Sequence, residues 1–315
     1  MTVHSGATVG RMTMMATPMA EVEVDDSLVR ALLADQHPDL ASEPLGARVE
    51  GWDNTTYRLG AALAVRLPRR AVGAQIAATE LDWLPLIGAH WTFPAPVPRR
   101  VGDPGRGYPW RWSVVPWIDG TDVYDAPLSV EGARDLGRAL AQVHQPAPAD
   151  APLNPHRSLG LADKAEVFGD RLATAEANGL VSDAPRLRAM YGAAMGEAEA
   201  GPTTWCHLDV HGRNVLSRKG RLAGIVDWGD AAAGSPATDL GQAAMLVGPL
   251  DVGPMLDAYL GSCHTEVAAF VGSAAGRRRI RAEAAHYALT LACMEDDPYR
   301  SAGREALTYL RQHPR

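Results

Sequence analysis

The sequence predicts an α+β fold in which a small β-rich part precedes a larger helical part. Two observations carry this prediction. Residues 45–67 hold short β-type runs broken by Gly51 and Gly60, a pattern typical of strands joined by tight turns. After Gly120, apolar residues recur at spacings of three and four, which is the period of an amphipathic helix.

The N-terminal elements follow in order along the chain. Asp26 and Ser27 can cap a first helix that ends before Pro38. A helix over residues 71–87 then contains Glu80. The expected strands lie near residues 45–50, 55–59, 62–67, 97–101 and 110–118.

The C-terminal elements are mainly helical. Ser129 can cap a helix that stops before Pro146. One or two Ala-rich helices are expected within 159–200, irregular strands within 203–227, and helices again beyond Asp239. The two parts join near residues 116–120, and a cleft between such parts is a common ligand site.

The composition excludes several classes of protein. Thirty basic and 37 acidic residues give a net charge of −7, which argues against general nucleic-acid binding, because that needs a basic surplus. The longest charge-free apolar runs are about half of the ~20 residues that a membrane-spanning helix requires. Three scattered cysteines favour a reducing compartment over a disulfide framework or a zinc ribbon. We therefore expect a cytoplasmic protein without a nucleic-acid or membrane partner.

The chain divides into three segments on these patterns. Residues 1–19 lack the apolar core of a targeting segment and are interpreted as a disordered tail or an over-long start. Residues 20–117 form the N-terminal part, and residues 118–315 form the C-terminal part. Both a monomer and a homodimer are compatible with the sequence.

The most informative segment is HLDVHGRNVL, which is followed by GIVDWGD. It supplies Asp209, Asn214 five residues later, and Asp227 after the short strand 221–226. Phosphoryl transfer needs such a set: one carboxylate orients the attacking hydroxyl and accepts its proton, while an amide and a second carboxylate hold Mg²⁺ on the nucleotide phosphates. A loop, a strand and a turn in this order bring the three side chains to one point.

With these residues the chain resembles the aminoglycoside phosphotransferase family, which has the bilobal fold of the eukaryotic protein kinases. The resemblance extends over about residues 51–239. It implies that Asp209 is the catalytic base and that Asn214 and Asp227 bind Mg²⁺. It also implies an ATP or GTP co-substrate, a small-molecule hydroxyl as acceptor, and a role in antibiotic resistance.

The resemblance implies supporting roles for two residues of the C-terminal part. Asp239, in PATDLG, matches the buried carboxylate that anchors the catalytic loop, and His207 matches a structural histidine. In the connector VVPWIDG, Pro116 can offer a C=O and Ile118 an N–H to the adenine.

The N-terminal part resembles the family's nucleotide-binding lobe. The segment GWDNTTYRLG is similar to its glycine-poor loop, and three residues there can offer donors to phosphate oxygens: Asn54, Thr55 and Thr56. Arg66 replaces the family's β3 lysine and can still bridge a phosphate and a carboxylate. Glu80, fourteen residues on, matches the pairing carboxylate.

The substrate is the least determined part of the resemblance. An acidic cluster in MEDDPYR can line a pocket for a cationic substrate, or it can be a solvated helix end: Glu295, Asp296 and Asp297. Aminoglycosides are the family's best-known substrates, and relatives act on macrolides, other antibiotics such as peptides, or choline- and homoserine-like metabolites. Macrolide kinases commonly carry histidine at the position of Asn214, which slightly disfavours a macrolide.

Two other functions stay open at this point. His207, Asp209 and His211 could bind a transition metal in a metal-dependent hydrolase, although such sites usually draw further ligands from other loops. A nucleotide-binding module without activity also stays open, because Arg66 stands where the family has a lysine. The intact set of Asp209, Asn214 and Asp227 argues against that second alternative.

Overall fold

A five-stranded antiparallel sheet forms the N-terminal part of the protein. The computed structural model describes residues 19–196, 201–248 and 252–312. The strands of this sheet are Leu45–Glu50 (β1), Asn54–Leu59 (β2), Leu63–Pro68 (β3), Arg100–Gly102 (β4) and Trp112–Pro116 (β5). Their spatial order is β1-β2-β3-β5-β4, and every neighbouring pair is antiparallel.

Two helices belong to this part, Asp26–Gln36 (α1) and Ala71–Ile87 (α2). Asp25 caps α1 by accepting a 2.8 Å hydrogen bond from the backbone N–H of Leu28, so the cap precedes the predicted Asp26 and Ser27. Helix α2 has the predicted bounds and buries Glu80 together with Leu81 and Leu84.

The fourth and fifth strands are shorter than predicted. Strand β4 begins at Arg100 rather than at residue 97, beyond Pro94, Pro96 and Pro98. Proline has no backbone N–H to give to a sheet, which explains why pairing starts only after the last of them. Strand β5 runs from Trp112 to Pro116 and is two residues shorter at each end than predicted.

The C-terminal part is mainly helical, and its first helix begins at the predicted cap, Ser129. The helices are Val130–Val143 (α3), Ala165–Ala177 (α4), Ala184–Met195 (α5), Pro236–Ala243 (α6), Val252–Leu260 (α7), Thr265–Gly272 (α8), Ala274–Ala292 (α9) and Tyr299–Gln312 (α10). Helix α9 packs against α5, α6 and α10, and its Glu283 forms a buried ion pair with Lys164 at 2.9 Å.

Short strands position the loops that carry the motif residues. They are Thr121–Asp122 (β6), Thr204–Cys206 (β7), Val215–Arg218 (β8), Arg221–Ile225 (β9) and Ala232–Gly234 (β10). Strands β6, β8 and β9 form one small sheet, and β7 pairs with β10. The residues between β7 and β8, and those between β9 and β10, therefore emerge close together.

The arrangement confirms the α+β class, with an antiparallel sheet first and a larger helical part after it. The boundary at residues 117 and 118 stays a prediction, and it falls just beyond the end of β5. The predicted tail, residues 1–19, lies outside the described residues except for Met19. Within the described ranges, none of the helices combines the length and apolarity needed to cross a membrane.

Candidate active site

The loop between β7 and β8, residues 207–214, is held by the buried carboxylate of Asp239. This carboxylate accepts hydrogen bonds from the backbone N–H groups of His207 (2.7 Å) and Leu208 (2.8 Å), and from the ring N–H of His144 (3.1 Å). Burial disfavours the charge of Asp239, but the hydrogen bonds from His144 and His207 outweigh it, so its pKa lies below the usual range. Leu208 has a φ of +64°, a strained conformation that persists only where its surroundings impose it.

His207 engages both of its ring nitrogens inside the protein. Its Nδ1 accepts a hydrogen bond from the backbone N–H of Asp209 at 3.2 Å, and its Nε2 donates to the carbonyl of Val226 at 3.0 Å. The ring packs edge-on against Trp228 at 4.5 Å and is fully buried. Neither nitrogen is left for a metal, which argues against the hydrolase alternative that includes His207 and His211.

Asp209 and Asn214 lie in the same loop and are joined directly. The side-chain amide of Asn214 donates to the backbone carbonyl of Asp209 at 3.0 Å, while the backbone carbonyl of Asn214 accepts from the backbone N–H of Val226 at 2.8 Å. The Asp209 side chain is 15% exposed, and its Oδ2 lies 3.5 Å from Nε2 of His211. The His211 Nδ1 accepts from the backbone N–H of Arg213, so the ring proton is on the nitrogen that faces Asp209. Burial lowers the pKa of His211.

Asp227 lies in a tight turn after β9, with a φ of +63°. The indole of the next residue, Trp228, is fully buried and donates to a β9 carbonyl at 2.9 Å. A Cβ added to Gly229 would lie 2.2 Å from the side chain of Ile76, so the turn packs directly against α2. The Asp227 carboxylate is exposed, and no side chain among residues 19–196, 201–248 and 252–312 forms a hydrogen bond or ion pair with it.

Arg66 on β3 and Glu80 on α2 form the ion pair that their spacing predicts. The distance from Nη1 to Oε1 is 2.5 Å, and the side chains are only 14% and 7% exposed. Burial disfavours the charge of Arg66, but the nearby carboxylates of Glu80 and Asp227 outweigh this effect and raise its pKa. The structure therefore brings a permanent cation close to the turn that carries Asp227.

The predicted nucleotide-binding segment consists of the hairpin turn between β1 and β2 and the first residues of β2. Side chains alternate in burial along β2, so Thr55 faces the interior with 2% exposure, while Asn54 and Thr56 face the opposite side. Thr56 pairs with Arg66 in the ladder and therefore shares its face of the sheet. The period-two position of Thr55 points its side chain into the core, so of the backbone and side-chain donors expected there, its backbone N–H is the one that stays a predicted phosphate contact.

Two arginines that the sequence analysis did not select hold this hairpin turn. Arg69 donates to the carbonyl of Gly51 at 3.1 Å, and Arg70 donates to the carboxylate of Asp53 at 2.6 Å. A Cβ on Gly73 would lie 2.7 Å from the Asp53 carbonyl, so the turn is also in contact with the start of α2. The sequence feature that could have identified Arg69 and Arg70 is the pair of basic residues directly after β3.

The connector residues lie apart from this cluster. Pro116 ends β5, and both Pro116 and Ile118 are half-buried and line a cavity of about 770 Å³. The other walls of that cavity include Trp91, Phe93 and Leu222, whereas the hairpin turn, Arg66 and the Asp227 turn do not contribute to it. The predicted adenine contacts therefore line this cavity, and the predicted phosphate contacts lie outside it.

The acidic cluster at residues 295–297 directly precedes α10 and is exposed. The first residue of α10, Tyr299, packs edge-on against the ring of His211 at 5.7 Å and against Tyr124 at 5.4 Å. The cluster thus lies near the loop at residues 207–214. Within it, Asp297 is engaged locally, because its carboxylate accepts from Ser301 and Arg300.

The most prominent omission of the sequence analysis is Arg157, in the loop between α3 and α4. It donates to the Asp209 carboxylate at 2.5 Å and to Asp230 at 3.1 Å. Burial disfavours the charge of Arg157, but these two carboxylates outweigh it and raise its pKa. The loop is rich in proline and has no hydrophobic period, so nothing in the sequence indicated this contact.

Comparison with known proteins identifies the family of the chain. The model of the phosphotransferase enzyme family (APH) matches residues 46–270, which is well over half of the chain. The chain belongs to this family. It is therefore a phosphotransferase that uses a hydroxyl group as acceptor, and its substrate is a small molecule. No curated protein sequence gives a significant match to the chain.

Solved structures of other phosphotransferases share the fold. The GDP complex of aminoglycoside 2'-phosphotransferase-IIIa has a TM-score of 0.62 at 16% identity, covering 92% of this chain and 100% of that one. The macrolide 2'-phosphotransferase MphH from Brachybacterium faecium has a TM-score of 0.54 at 20% identity, covering 89% and 97%. The streptomycin–ATP complex of APH(2")-IIa has a TM-score of 0.53 at 17% identity, covering 91% and 97%.

Proposed function

We propose that this phosphotransferase transfers the γ-phosphate of ATP or GTP to a hydroxyl of an aminoglycoside-type antibiotic or a similar compound. In this proposal Asp209 is the base, and Asn214 and Asp227 hold Mg²⁺. The observation that carries it is the loop at residues 207–214, which Asp239 fixes so that Asp209 and Asn214 are joined by a hydrogen bond at 3.0 Å.

The donor set fits Mg²⁺, which prefers oxygen ligands. The Asn214 side chain uses its nitrogen in the bond to Asp209, which leaves its amide oxygen for a cation. The carboxylate of Asp227 makes no hydrogen bond or ion pair within the described ranges. When bound, the ion neutralises charge on the nucleotide phosphates.

In the transfer reaction, different residues of the chain have different roles. Asp209 accepts the proton of the acceptor hydroxyl as the new bond from oxygen to phosphorus forms. The bond from the γ-phosphorus to its bridging oxygen breaks, and the nucleoside diphosphate leaves with that electron pair. Arg66, fixed by Glu80, supplies a permanent positive charge for the phosphates. Asn54 and Thr56 are on the side of β2 that presents donors beside Arg66.

A cationic acceptor is supported by the charge near the loop. Glu295 and Asp296 are exposed just before Tyr299, which contacts His211 beside Asp209. An amine-bearing substrate would gain from these carboxylates. A macrolide is an alternative acceptor, because a solved macrolide enzyme shares the fold as a solved aminoglycoside complex does. A peptide antibiotic or a choline- or homoserine-like metabolite is a further alternative, which the family resemblance implies.

A nucleotide-consumption screen tests the proposal. ATP and GTP are each supplied with Mg²⁺ and a panel of aminoglycosides, macrolides, peptide antibiotics and amino alcohols. We expect substrate-dependent formation of ADP or GDP, which disappears when Mg²⁺ is chelated. Consumption that depends on a macrolide or a metabolite but on no aminoglycoside would replace the leading acceptor class. Failure of the protein to bind either nucleotide would contradict the proposal altogether.

A further inference from the structure

Arg157 contacts the catalytic loop at two points, although 52 residues separate it from Asp209 in sequence. Its Nη1 donates to Oδ1 of Asp209 at 2.5 Å and to the carbonyl of Leu208 at 3.2 Å. Its Nε donates to Oδ2 of Asp230 at 3.1 Å. The guanidinium therefore lies between two carboxylates and touches the backbone of the strained residue next to Asp209.

A local turn fixes the direction of this side chain. The Asn154 Oδ1 accepts hydrogen bonds from the backbone N–H groups of His156 and Arg157, both at 3.0 Å. The Asn154 amide donates to Oδ1 of Asp230 at 2.7 Å. One oxygen of Asp230 thus accepts from Asn154 and the other accepts from Arg157. The guanidinium is therefore fixed both by the turn in its own loop and by Asp230, which lies in the turn after Asp227.

We propose that Arg157 is a positioning residue for phosphoryl transfer. This inference rests on the proposed function. Arg157 holds Oδ1 of Asp209, so Oδ2 is the oxygen that receives the proton of the acceptor hydroxyl. A base acts efficiently only when it is within hydrogen-bond reach of that proton, and a freely rotating carboxylate satisfies this condition for a fraction of the time.

The arrangement also explains why an arginine fits this position. A planar guanidinium presents several donors in fixed directions, so it can bind Asp209, Asp230 and a carbonyl at once. A lysine carries the same charge at a single point and can reach fewer of these partners. The positive charge of Arg157 also offsets the repulsion between the carboxylates of Asp209 and Asp230, which otherwise would push the Asp209 side chain out of its orientation.

The test compares Arg157→Ala and Arg157→Lys with a matched control, Arg138→Ala. Arg138 on α3 also forms an ion pair, with Asp135 at 3.2 Å, but its side chain is 48% exposed and lies outside both the catalytic loop and the cavity that Pro116 and Ile118 line. Two rates are measured with Mg²⁺ and ATP or GTP: nucleotide hydrolysis with water as acceptor, and transfer to the first accepted substrate. Nucleotide affinity is measured by calorimetry on the same preparations.

For Arg157→Ala we expect kcat to fall about 10²-fold, the loss typical of a misplaced catalytic group, with KM and nucleotide affinity nearly unchanged. Arg157→Lys should recover part of that rate. Millimolar guanidinium chloride should partly restore Arg157→Ala, because the free cation can occupy the vacated place, but it should not affect Arg138→Ala. Such rescue would not follow from a role in stability alone.

Three results would overturn the inference. One is a kcat of Arg157→Ala within the range of the Arg138→Ala control. Another is a rise in KM at unchanged kcat, which would place Arg157 in substrate binding instead. The third is a loss of rate that follows a loss of folded protein and does not respond to guanidinium. If the parent protein neither binds nor consumes nucleotide, the proposed function fails as well, whereas equal turnover by parent and Arg157→Ala overturns the role of Arg157 alone.

Discussion

Removing Arg66 should affect stability and nucleotide binding by separate and measurable amounts. Its partner Glu80 is 7% exposed, so Arg66→Ala leaves a buried carboxylate without its cation. Loss of one member of a buried pair costs about 3–5 kcal/mol of unfolding free energy. Arg66→Lys retains the charge and should lose much less. Glu80→Gln keeps the shape but not the charge, and it should be a milder form of Arg66→Ala.

The effect on nucleotide binding has its own magnitude. A charge-assisted contact to a phosphate contributes roughly 1.5–3 kcal/mol, so nucleotide affinity of Arg66→Ala should fall about 10- to 150-fold. The double variant Arg66→Met, Glu80→Leu separates the two effects. It replaces the buried pair by apolar side chains, which is often neutral for stability, yet it should bind nucleotide as weakly as Arg66→Ala.

Denaturant unfolding and calorimetric titration with Mg²⁺–nucleotide measure both quantities on the same samples. The reasoning would be refuted if Arg66→Ala matched the parent in both unfolding free energy and nucleotide affinity. If Arg66→Ala lost stability but bound nucleotide normally, Arg66 would only anchor α2. The phosphates would then be held by the hairpin turn and Mg²⁺ without it.

The remaining predictions concern the metal ligands, the anchor of the loop and a buried histidine. Asp227→Ala should abolish Mg²⁺-dependent nucleotide binding and Asn214→Ala should raise the Mg²⁺ requirement; unchanged Mg²⁺ titrations in both would remove the metal assignment. Asp239→Asn should lower the unfolding free energy by on the order of 3 kcal/mol, because it weakens three buried hydrogen bonds to one carboxylate, and an unaltered denaturation midpoint would contradict this. Burial and two neighbouring cations lower the pKa of His286 to about 3. The unfolded chain, with a histidine pKa of about 6.5, is protonated first as the pH falls, so this residue should cost about 2 kcal/mol of stability at pH 5. His286→Phe should remove this loss of unfolding free energy between pH 7 and pH 5. If the unfolding free energies of parent and variant changed in parallel over this range, the assignment to His286 would be contradicted.

The fold was predictable where local chemistry decides it. Turn residues separate β1, β2 and β3, and the side chain of Ser129 caps α3 as the sequence predicts. The contact of Arg66 with Glu80 was also predictable, because the resemblance to the family's nucleotide-binding lobe implies that these two residues pair.

The features that the sequence analysis missed have particular physical causes. The burial of the Thr55 side chain was not recognised, although Tyr57 and Leu59 at period two place that side of β2 toward the core. Arg157 had no local signal at all, because its role depends on where a proline-rich loop lies in three dimensions. Long-range contacts of this kind come from tertiary packing, which a single sequence does not display.

The phosphoryl-transfer assay tests the central claim most directly, once the screen has found an acceptor. The product is identified by mass spectrometry and phosphorus NMR, and it is compared for the parent, Asp209→Asn and the control Asp170→Asn, whose exposed side chain is on α4. The account predicts a phosphate ester formed in equal amount to the nucleoside diphosphate. It also predicts a rate about 10²–10⁴-fold lower for Asp209→Asn, with nucleotide affinity retained and Asp170→Asn unaffected. Near-parental transfer by Asp209→Asn, or nucleotide consumption that yields no phosphate ester, would contradict it.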